Sequence, residues 1–172
     1  MNAWLTGRTL IANATESGQA RALTESEMTT LLTHAKTIQS NWEMVFAEAV
    51  YKYVGGAHKK ISLLQQATPE NKTGLLKEYL GEWSEAKGFM LGLQFGGSES
   101  KINKANFEII DNLIGFGPVL EDGSQVNGVS GNTFSKSAPD PEAFNAYKEK
   151  LESVQDKLDE LYNLKVKKNP IQ

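Results

Sequence analysis

The chain has 172 residues, a net charge of −3 at pH 7 and no cysteine. Its content of 40 % hydrophobic and 23 % charged residues is typical of a single well-cored globular domain and argues against disorder. The acidic balance gives no electrostatic footprint for nucleic acid, and the lack of cysteine excludes disulfides and thiolate metal sites. No apolar run is long enough for a transmembrane segment.

The first residues have the pattern of an amphipathic helix interior. Residues 1–8 carry no N-cap of their own, and they lack the charged and apolar regions of a signal peptide. We therefore expect a truncated chain, the carboxy-terminal portion of a larger helical domain.

A long second helix is predicted from residue 24 onward. Thr24 and Glu27 form a capping box, and Leu23 and Met28 form a hydrophobic staple. Apolar residues then recur at alternating spacings of three and four, the period of a bundle helix. We expect the following set to be buried: Met28, Leu31, Leu32, Ala35, Ile38, Trp42, Val45, Phe46, Ala49, Val50 and Tyr53. The glycine pair at residues 55–56 is expected to break or kink this helix.

Two more helices follow in the middle of the chain. Thr68 is placed as an N-cap and Pro69 as the first helical residue of the third helix, which runs to about Phe95. The glycines at residues 96–97 end it. A fourth helix opens near Asn103 and closes at a glycine twelve positions later, Gly115.

The last third of the chain combines a loop and a helix. Residues 116–139 are rich in Gly, Ser, Asn and Asp with little periodicity, which predicts a long irregular surface loop. A final helix starts at residues 140–142 and carries an apolar seam. No segment shows period-two alternation, so no sheet is predicted. We therefore expect an all-α fold: an antiparallel helical bundle, one domain over residues 1–172, with a long irregular loop near 116–139.

The third helix divides into two faces. Its bulky apolar residues form one broad stripe, whereas Gly81, Ser84, Gly88 and Gly92 cluster on the opposite side. A glycine inside a helix costs about 0.5–1 kcal/mol relative to alanine, so three of them require a reason. Close approach of another helix or of a ligand is the natural one, and we expect this helix to be packed on both faces.

Glu82 and Glu85 are the candidate metal ligands. On the functional interpretation they supply a carboxylate pair for a metal, a proton or a polar ligand. On the structural interpretation they are flank residues that form ion pairs, for example with Arg8 or Lys87, which is the more frequent role of such residues. Lys87 itself projects within the apolar stripe, where a snorkelling side chain is more frequent than a catalytic amine.

Other signatures of catalysis are missing from the sequence. His34 and His58 are its two histidines, and neither has the partner spacing of a zinc motif. There is no G-x-S-x-G element, and no glycine-rich phosphate loop follows a predicted strand. The sequence therefore assigns no catalytic residue and leaves the cofactor unknown.

Seven segments of the chain carry a family resemblance: residues 7–11, 42–43, 51–53, 82–89, 93–95, 111–115 and 118–120. The most specific is the run W-S-E-x-K-G-F at residues 83–89. Together these segments resemble the uncharacterised bacterial domain-of-unknown-function family 4856, which is itself similar to imelysin-like proteins of the cell envelope. The resemblance covers most of the chain and matches the carboxy-terminal part of a family member.

The resemblance implies an all-α, bundle-like fold. It also implies an exported protein, periplasmic or associated with the outer membrane, with an export signal and a lipid anchor upstream of this chain. The wider imelysin group is linked with iron uptake and peptidase activity and has a G-x-H-x-x-E motif. In this chain Gly56 and His58 are present but Ile61 replaces the glutamate, so no catalytic residue is carried over.

Three functions stay open at this point. The first is a non-enzymatic module that binds a small ligand or a metal ion, with Glu82 and Glu85 near the site. The second is a structural or partner-docking domain that contacts an unknown protein through the loop of residues 116–139. The third, a metallopeptidase-like hydrolase, rests on the resemblance alone, and we favour the first two over it.

Overall fold

The computed structural model describes residues 2–97 and 99–164 and is mostly helical. Within these ranges the helical elements are α1 (Asn2–Ala12), α2 (Glu25–Leu64), α3 (Pro69–Gly92), a 3₁₀ turn at Leu93–Phe95, α4 (Lys104–Ile114) and α5 (Ala143–Tyr162). Helices α2, α3, α4 and α5 enclose the core. The apolar seam predicted for the last helix is buried in it. The largest fully buried side chains are Tyr51, Ile61, Tyr79, Met90, Ile110, Ile114, Tyr147, Leu151, Leu158 and Leu164.

The prediction of no sheet is wrong, because two small antiparallel hairpins are present. The first pairs β1 (Thr15–Glu16) with β2 (Gln19–Ala20) around Ser17 and Gly18, both of which have positive φ. The second pairs β3 (Val126–Ser130) with β4 (Thr133–Lys136). Two-residue turns of this kind favour glycine at positive φ, and strands this short give too little alternation to be recognised from sequence.

The second hairpin also corrects the interpretation of residues 116–139 as an irregular surface loop. Gly117, Val119, Gly123 and Ser124 of this segment are buried. The Val119 N–H donates a hydrogen bond of 3.1 Å to the hydroxyl of Tyr79, which ties the segment to α3. Its first part is therefore a packed element of the core, and only its later part, from residue 129 on, is exposed throughout.

The start of α2 follows the sequence prediction. Thr24 and Glu27 form both hydrogen bonds of a capping box. Arg21 adds a two-pronged ion pair, because each of its terminal nitrogens lies 2.7 Å from one Glu27 oxygen. The hydrogen bonds from Arg21 lower the pKa of Glu27 to about 2. This turn is therefore fixed by charge as well as by backbone capping.

Of the two outcomes expected at residues 55–56, the break is wrong, since α2 is continuous from Glu25 to Leu64, and the kink stays a prediction. The two glycines are points of close approach instead. A Cβ on Gly56 would collide with the Glu82 carboxylate of α3, and a Cβ on Gly55 would lie 2.9 Å from Nε2 of Gln155. That same nitrogen donates a 2.7 Å hydrogen bond to the carbonyl of Tyr51. The two glycines therefore leave room for side chains of α3 and α5 to contact the α2 backbone.

Burial along α2 differs from the prediction in its first half. Val50 is fully buried, and Phe46, Ala49 and Tyr53 are partly buried. By contrast, Met28, Leu32, Ala35, Trp42 and Val45 are exposed, so the expectation that they are buried is wrong. The reason is that the core helices pack on α2 from residue 43 onward, while α1 is the main neighbour of its earlier part. Among the described helices, none is long and apolar enough to cross a membrane.

Candidate functional site

The W-S-E-x-K-G-F run of α3 holds the end of α4. Nζ of Lys87 lies 2.5 Å from a carboxylate oxygen of Asp111 and 2.8 Å from the carbonyl of Gly115. The indole of Trp83 and the hydroxyl of Tyr147 both donate to the carbonyl of Ile114, at 3.4 and 2.7 Å. The last carbonyls of a helix lack intrahelical partners and attract cations. The most distinctive motif of the sequence therefore caps a neighbouring helix.

The small-residue face of α3 is open, which corrects the expectation that this helix is packed on both faces. Gly81, Ser84 and Gly88 are exposed. Among the described residues, no atom lies within 4 Å of a Cβ built on Gly81 or Gly88. Gly92 is the exception, since its Cβ would lie 2.5 Å from the ring of Phe46. Close approach explains this one glycine of the three.

The predicted ligands Glu82 and Glu85 lie along a shallow groove of about 380 Å³, together with Lys60 and Glu78. Glu82 is half-buried, with its carboxylate against Gly56, whereas Glu85 is exposed. Lys60 pairs with Glu78. Within residues 2–97 and 99–164 no cluster of three or more His, Asp or Glu side chains could hold a metal ion. The metal assignment of Glu82 and Glu85 stays a prediction.

The ion pairs suggested for these carboxylates are not formed within the part of the chain that is described. Lys87 pairs with Asp111 instead, and the guanidinium of Arg8 lies over the ring of Trp4, 5.9 Å from its centroid. His58 lies 3.1 Å from a carboxylate oxygen of Glu152 on α5, a pairing that its sequence neighbours do not indicate.

A second cavity, not anticipated from the sequence, lies between α2 and the turn that follows α3. We call it the Glu43 cavity. It has a volume of about 270 Å³ and is lined by Gln39, Trp42, Glu43, Phe46, Gly92, Leu93, Phe95 and Gly96. Most of this lining is apolar or aromatic. Trp42 and Phe95 stand at its edge, with 64 % and 83 % of their surface exposed. The hollow is smaller and more open than most ligand pockets, but its lining has their composition, apolar walls with a few placed polar groups.

Glycines shape the wall of the Glu43 cavity. Because Gly92 has no side chain, the ring of Phe46 can lie close to the end of α3. A Cβ on Gly96 would meet the Ser100 hydroxyl at 2.5 Å and the second Glu43 carboxylate oxygen at 3.0 Å. Both glycines therefore keep the wall thin where the aromatic rings and the carboxylate converge.

An aromatic row continues from the cavity along the contact between α2 and α3. Trp42 stacks on Phe46 with a centroid distance of 6.2 Å, and Phe46 meets Phe89 edge-on at 5.7 Å. Phe89 then stacks on Tyr53 at 5.7 Å, and Tyr53 lines the groove that holds Glu82. Rings in contact restrict one another, so the aromatic wall of the cavity is supported from behind.

Glu43 is buried, with 7 % of its surface exposed, and its carboxylate is held by hydrogen bonds. Its Oε1 accepts a 2.8 Å bond from the backbone N–H of Lys101 and another from the hydroxyl of Tyr162. Burial, with the Glu43 carboxylate as a further cause, raises the pKa of Tyr162 well above its usual range, so this hydroxyl stays a donor. Glu43 thus joins α2 to the segment before α4 and to the last turn of α5.

The position of Glu43 in the sequence indicates that it is buried, although neither composition nor motifs single it out. It stands four residues before Ala47 and seven before Val50, both fully buried, and so lies on the same face of α2. A carboxylate on the core face of a helix has to find partners, because burying it alone is very costly. The neighbouring Trp42 and Phe46 were assigned to the core, although Trp42 lies at the cavity edge.

Comparisons with known proteins give no relative for this chain. No family model matches it, and no significantly similar curated protein or solved structure was found. The resemblance of residues 83–89 and the other segments to family 4856 is therefore an untested prediction.

Proposed function

We propose that this chain is a non-enzymatic binding module whose ligand site is the Glu43 cavity. The observation that carries the proposal is a buried, fixed carboxylate at the wall of an open hollow that is also lined by three aromatic rings. In this proposal the core helices form an antiparallel bundle, supported by the four-residue link between α2 and α3, and the cavity opens at one side of it.

The ligand chemistry follows from the lining. Aromatic faces attract cations and apolar groups, and a carboxylate adds a charge-assisted hydrogen bond to a positively charged donor. A cavity of about 270 Å³ admits a group the size of one aromatic ring with a short side chain. We infer that the ligand presents a primary or secondary amine on a compact apolar body.

Binding of three matched probes tests this inference. 2-Phenylethylamine, 2-phenylethanol and phenylacetate share a ring and differ in charge, and amide shifts of Gln39, Gly92 and Gly96 in NMR titrations report occupancy of the cavity. We expect the amine to bind at least ten-fold more tightly than the alcohol and the anion not to bind. If none of the probes shifts these amides, the proposal fails.

Charge-removing variants locate the effect. Glu43→Gln keeps a carbonyl oxygen for the Lys101 N–H but loses the charge, so the preference for the amine over the alcohol should disappear. Glu85→Gln removes an exposed carboxylate outside the cavity and is the matched control. Equal amine affinity in Glu43→Gln and the unmodified chain would contradict the role of Glu43. Calorimetry with iron, zinc and calcium salts on Glu85→Ala separately tests the metal prediction for Glu82 and Glu85.

Partner docking is a second candidate function, favoured by the β3–β4 hairpin. Val129 and Phe134 are opposite each other in its register and are 55 % and 66 % exposed. Large apolar pairs at exposed positions are frequent in protein contacts. Replacing both with serine should abolish capture of a docking protein and leave the helical circular dichroism unchanged; unaltered capture would remove the hairpin from consideration.

The proposal also includes a location in the cell envelope and a lipid anchor upstream of this chain. Both rest on the family resemblance alone. Among the described residues, no group of metal-ligand side chains supports the metallopeptidase alternative.

A further inference from the structure

The first half of α2 carries a second apolar stripe. Met28, Leu32, Ala35, Gln39 and Trp42 follow one another at spacings of four, three, four and three. This 3.5-residue repeat places them on one line along the helix, and it is the repeat of helices that pair side by side over several turns. We call these five residues the α2 stripe.

Little covers the α2 stripe within the described chain. Met28, Leu32 and Trp42 are 44 %, 54 % and 64 % exposed. The neighbouring α1 packs on a different line of α2, since Gly7 is buried against Leu31 and His34. The stripe is therefore a largely apolar helix surface with helical packing spacing and no described helix on it. Its last two residues, Gln39 and Trp42, also line the Glu43 cavity, so pairing of the stripe would cover one edge of that cavity.

We propose that the α2 stripe pairs with the same stripe of a second copy of this chain, in antiparallel orientation. A pair about a twofold axis is self-complementary, so the two stripes run alongside each other in opposite directions. With Ala35 opposite Gln39, Leu32 lies opposite Trp42. The small Ala35 near the middle then lets the two helices approach closely, while the bulky residues interlock on either side.

The placement of the core supports the antiparallel orientation. Helices α3 and α5 pack on α2, and the buried positions of α2 begin at residue 43, so the core lies at the carboxy-terminal end of the stripe. A parallel pair would bring two cores to the same end, whereas an antiparallel pair places them at opposite ends. Charge does not oppose the pairing, because Lys36 is the one charged residue between Met28 and Trp42.

The available area is sufficient for a specific dimer. Met28, Leu32, Trp42 and the adjacent Val45 are each about half exposed. Side chains of this size then present on the order of 500 Å² per copy, or about 1,000 Å² in total, the lower bound for a specific interface. We therefore expect a reversible dimer of modest affinity that is populated at micromolar concentrations.

Sedimentation equilibrium of the full chain, from ~1 to ~100 µM, measures the dimer directly. Leu32→Glu places a charge within the stripe, opposite Trp42 of the other copy, and should weaken the dimer at least 30-fold. Thr33→Glu adds the same charge on the solvent face of the same turn and should leave the dimer unchanged. A monomer at all concentrations, or a dimer that survives Leu32→Glu, would overturn the proposal.

The orientation can be read by cross-linking, because the chain has no cysteine of its own. Leu32→Cys and Trp42→Cys variants, one of them carrying a mass tag, are mixed and oxidised. The antiparallel arrangement predicts the mixed disulfide as the main product. A parallel pair would give Leu32→Cys linked to itself and Trp42→Cys linked to itself, and this result would refute the arrangement. Circular dichroism confirms that each variant is folded.

Discussion

The open glycine face of α3 makes a quantitative prediction. Gly81 and Gly88 lie in the interior of an exposed helix face, where a Cβ would contact no described atom. Alanine at either position should therefore stabilise the chain by about 0.5–1 kcal/mol, since it restricts the unfolded state and improves helix propensity. The two sites are seven residues, or roughly 10 Å, apart along the helix, so the double variant should gain about 1–2 kcal/mol.

Gly92→Ala is the internal contrast on the same helix. Its Cβ would lie 2.5 Å from the ring of Phe46, which is itself fixed between Trp42 and Phe89. The ring has to move, and overpacking of this kind costs about 1–3 kcal/mol, more than the gain in helix propensity. Gly92→Ala should therefore destabilise the chain although it makes the same chemical change as Gly88→Ala.

Urea unfolding followed by circular dichroism distinguishes the two outcomes. With a slope near 2 kcal/mol per molar urea, the Gly81 and Gly88 double alanine variant should raise the midpoint by roughly 0.5–1 M. Gly92→Ala should lower it. If Gly88→Ala lowers the midpoint as well, another surface covers this face in solution, and the assignment of an open face is wrong.

Two further predictions concern the core. Lys87→Met leaves Asp111 and the end of α4 without their cation, so it should lower the free energy of unfolding measured in urea by about 2 kcal/mol. Lys77→Met, at an exposed position of the same helix, is the control and should lower it by less than about 0.5 kcal/mol. Equal losses in the two variants would contradict the capping role of Lys87. Burial raises the pKa of Tyr79 and Tyr147 far above the usual value. The pKa of Tyr162 is raised as well. Above pH 10 these three tyrosines ionise in the unfolded chain alone, so the stability present below pH 10 should fall by at least about 4 kcal/mol per pH unit. Tyrosinate absorbance of the three residues in the folded chain would refute this.

The sequence predicts the helices of this fold better than their surroundings. Capping at Thr24 and Asn103 and the proline at the start of α3 are local signals, and the structure has helices beginning at these points. The two hairpins were missed because strands of two to five residues give almost no periodicity. The break at residues 55–56 was wrong because a glycine pair marks close approach as well as helix ends, and only the positions of Glu82 and Gln155 distinguish the two.

The candidate site was harder to predict than the fold. Glu43 acquires its environment from Lys101 and Tyr162, which are 58 and 119 residues away along the chain. No local pattern contains that information. The conspicuous motif around Trp83 and Lys87 instead holds the end of a neighbouring helix, so the most distinctive sequence of the chain has a structural role. The Glu43 cavity is formed by a stretch of α2 that has no distinctive sequence.

The length of α2 has a consequence for how the chain opens. The helix has 40 residues, but its buried positions begin at Glu43. Residues 25–42 are held by α1, by the capping turn and by the helix itself, and therefore form a local unfolding unit separate from the core. Their amide hydrogens should exchange with solvent faster than those of residues 47–64 within the same continuous helix. The two halves of one continuous helix would then have different free energies of local opening. Pairing of the α2 stripe would slow amide exchange in residues 25–42 alone.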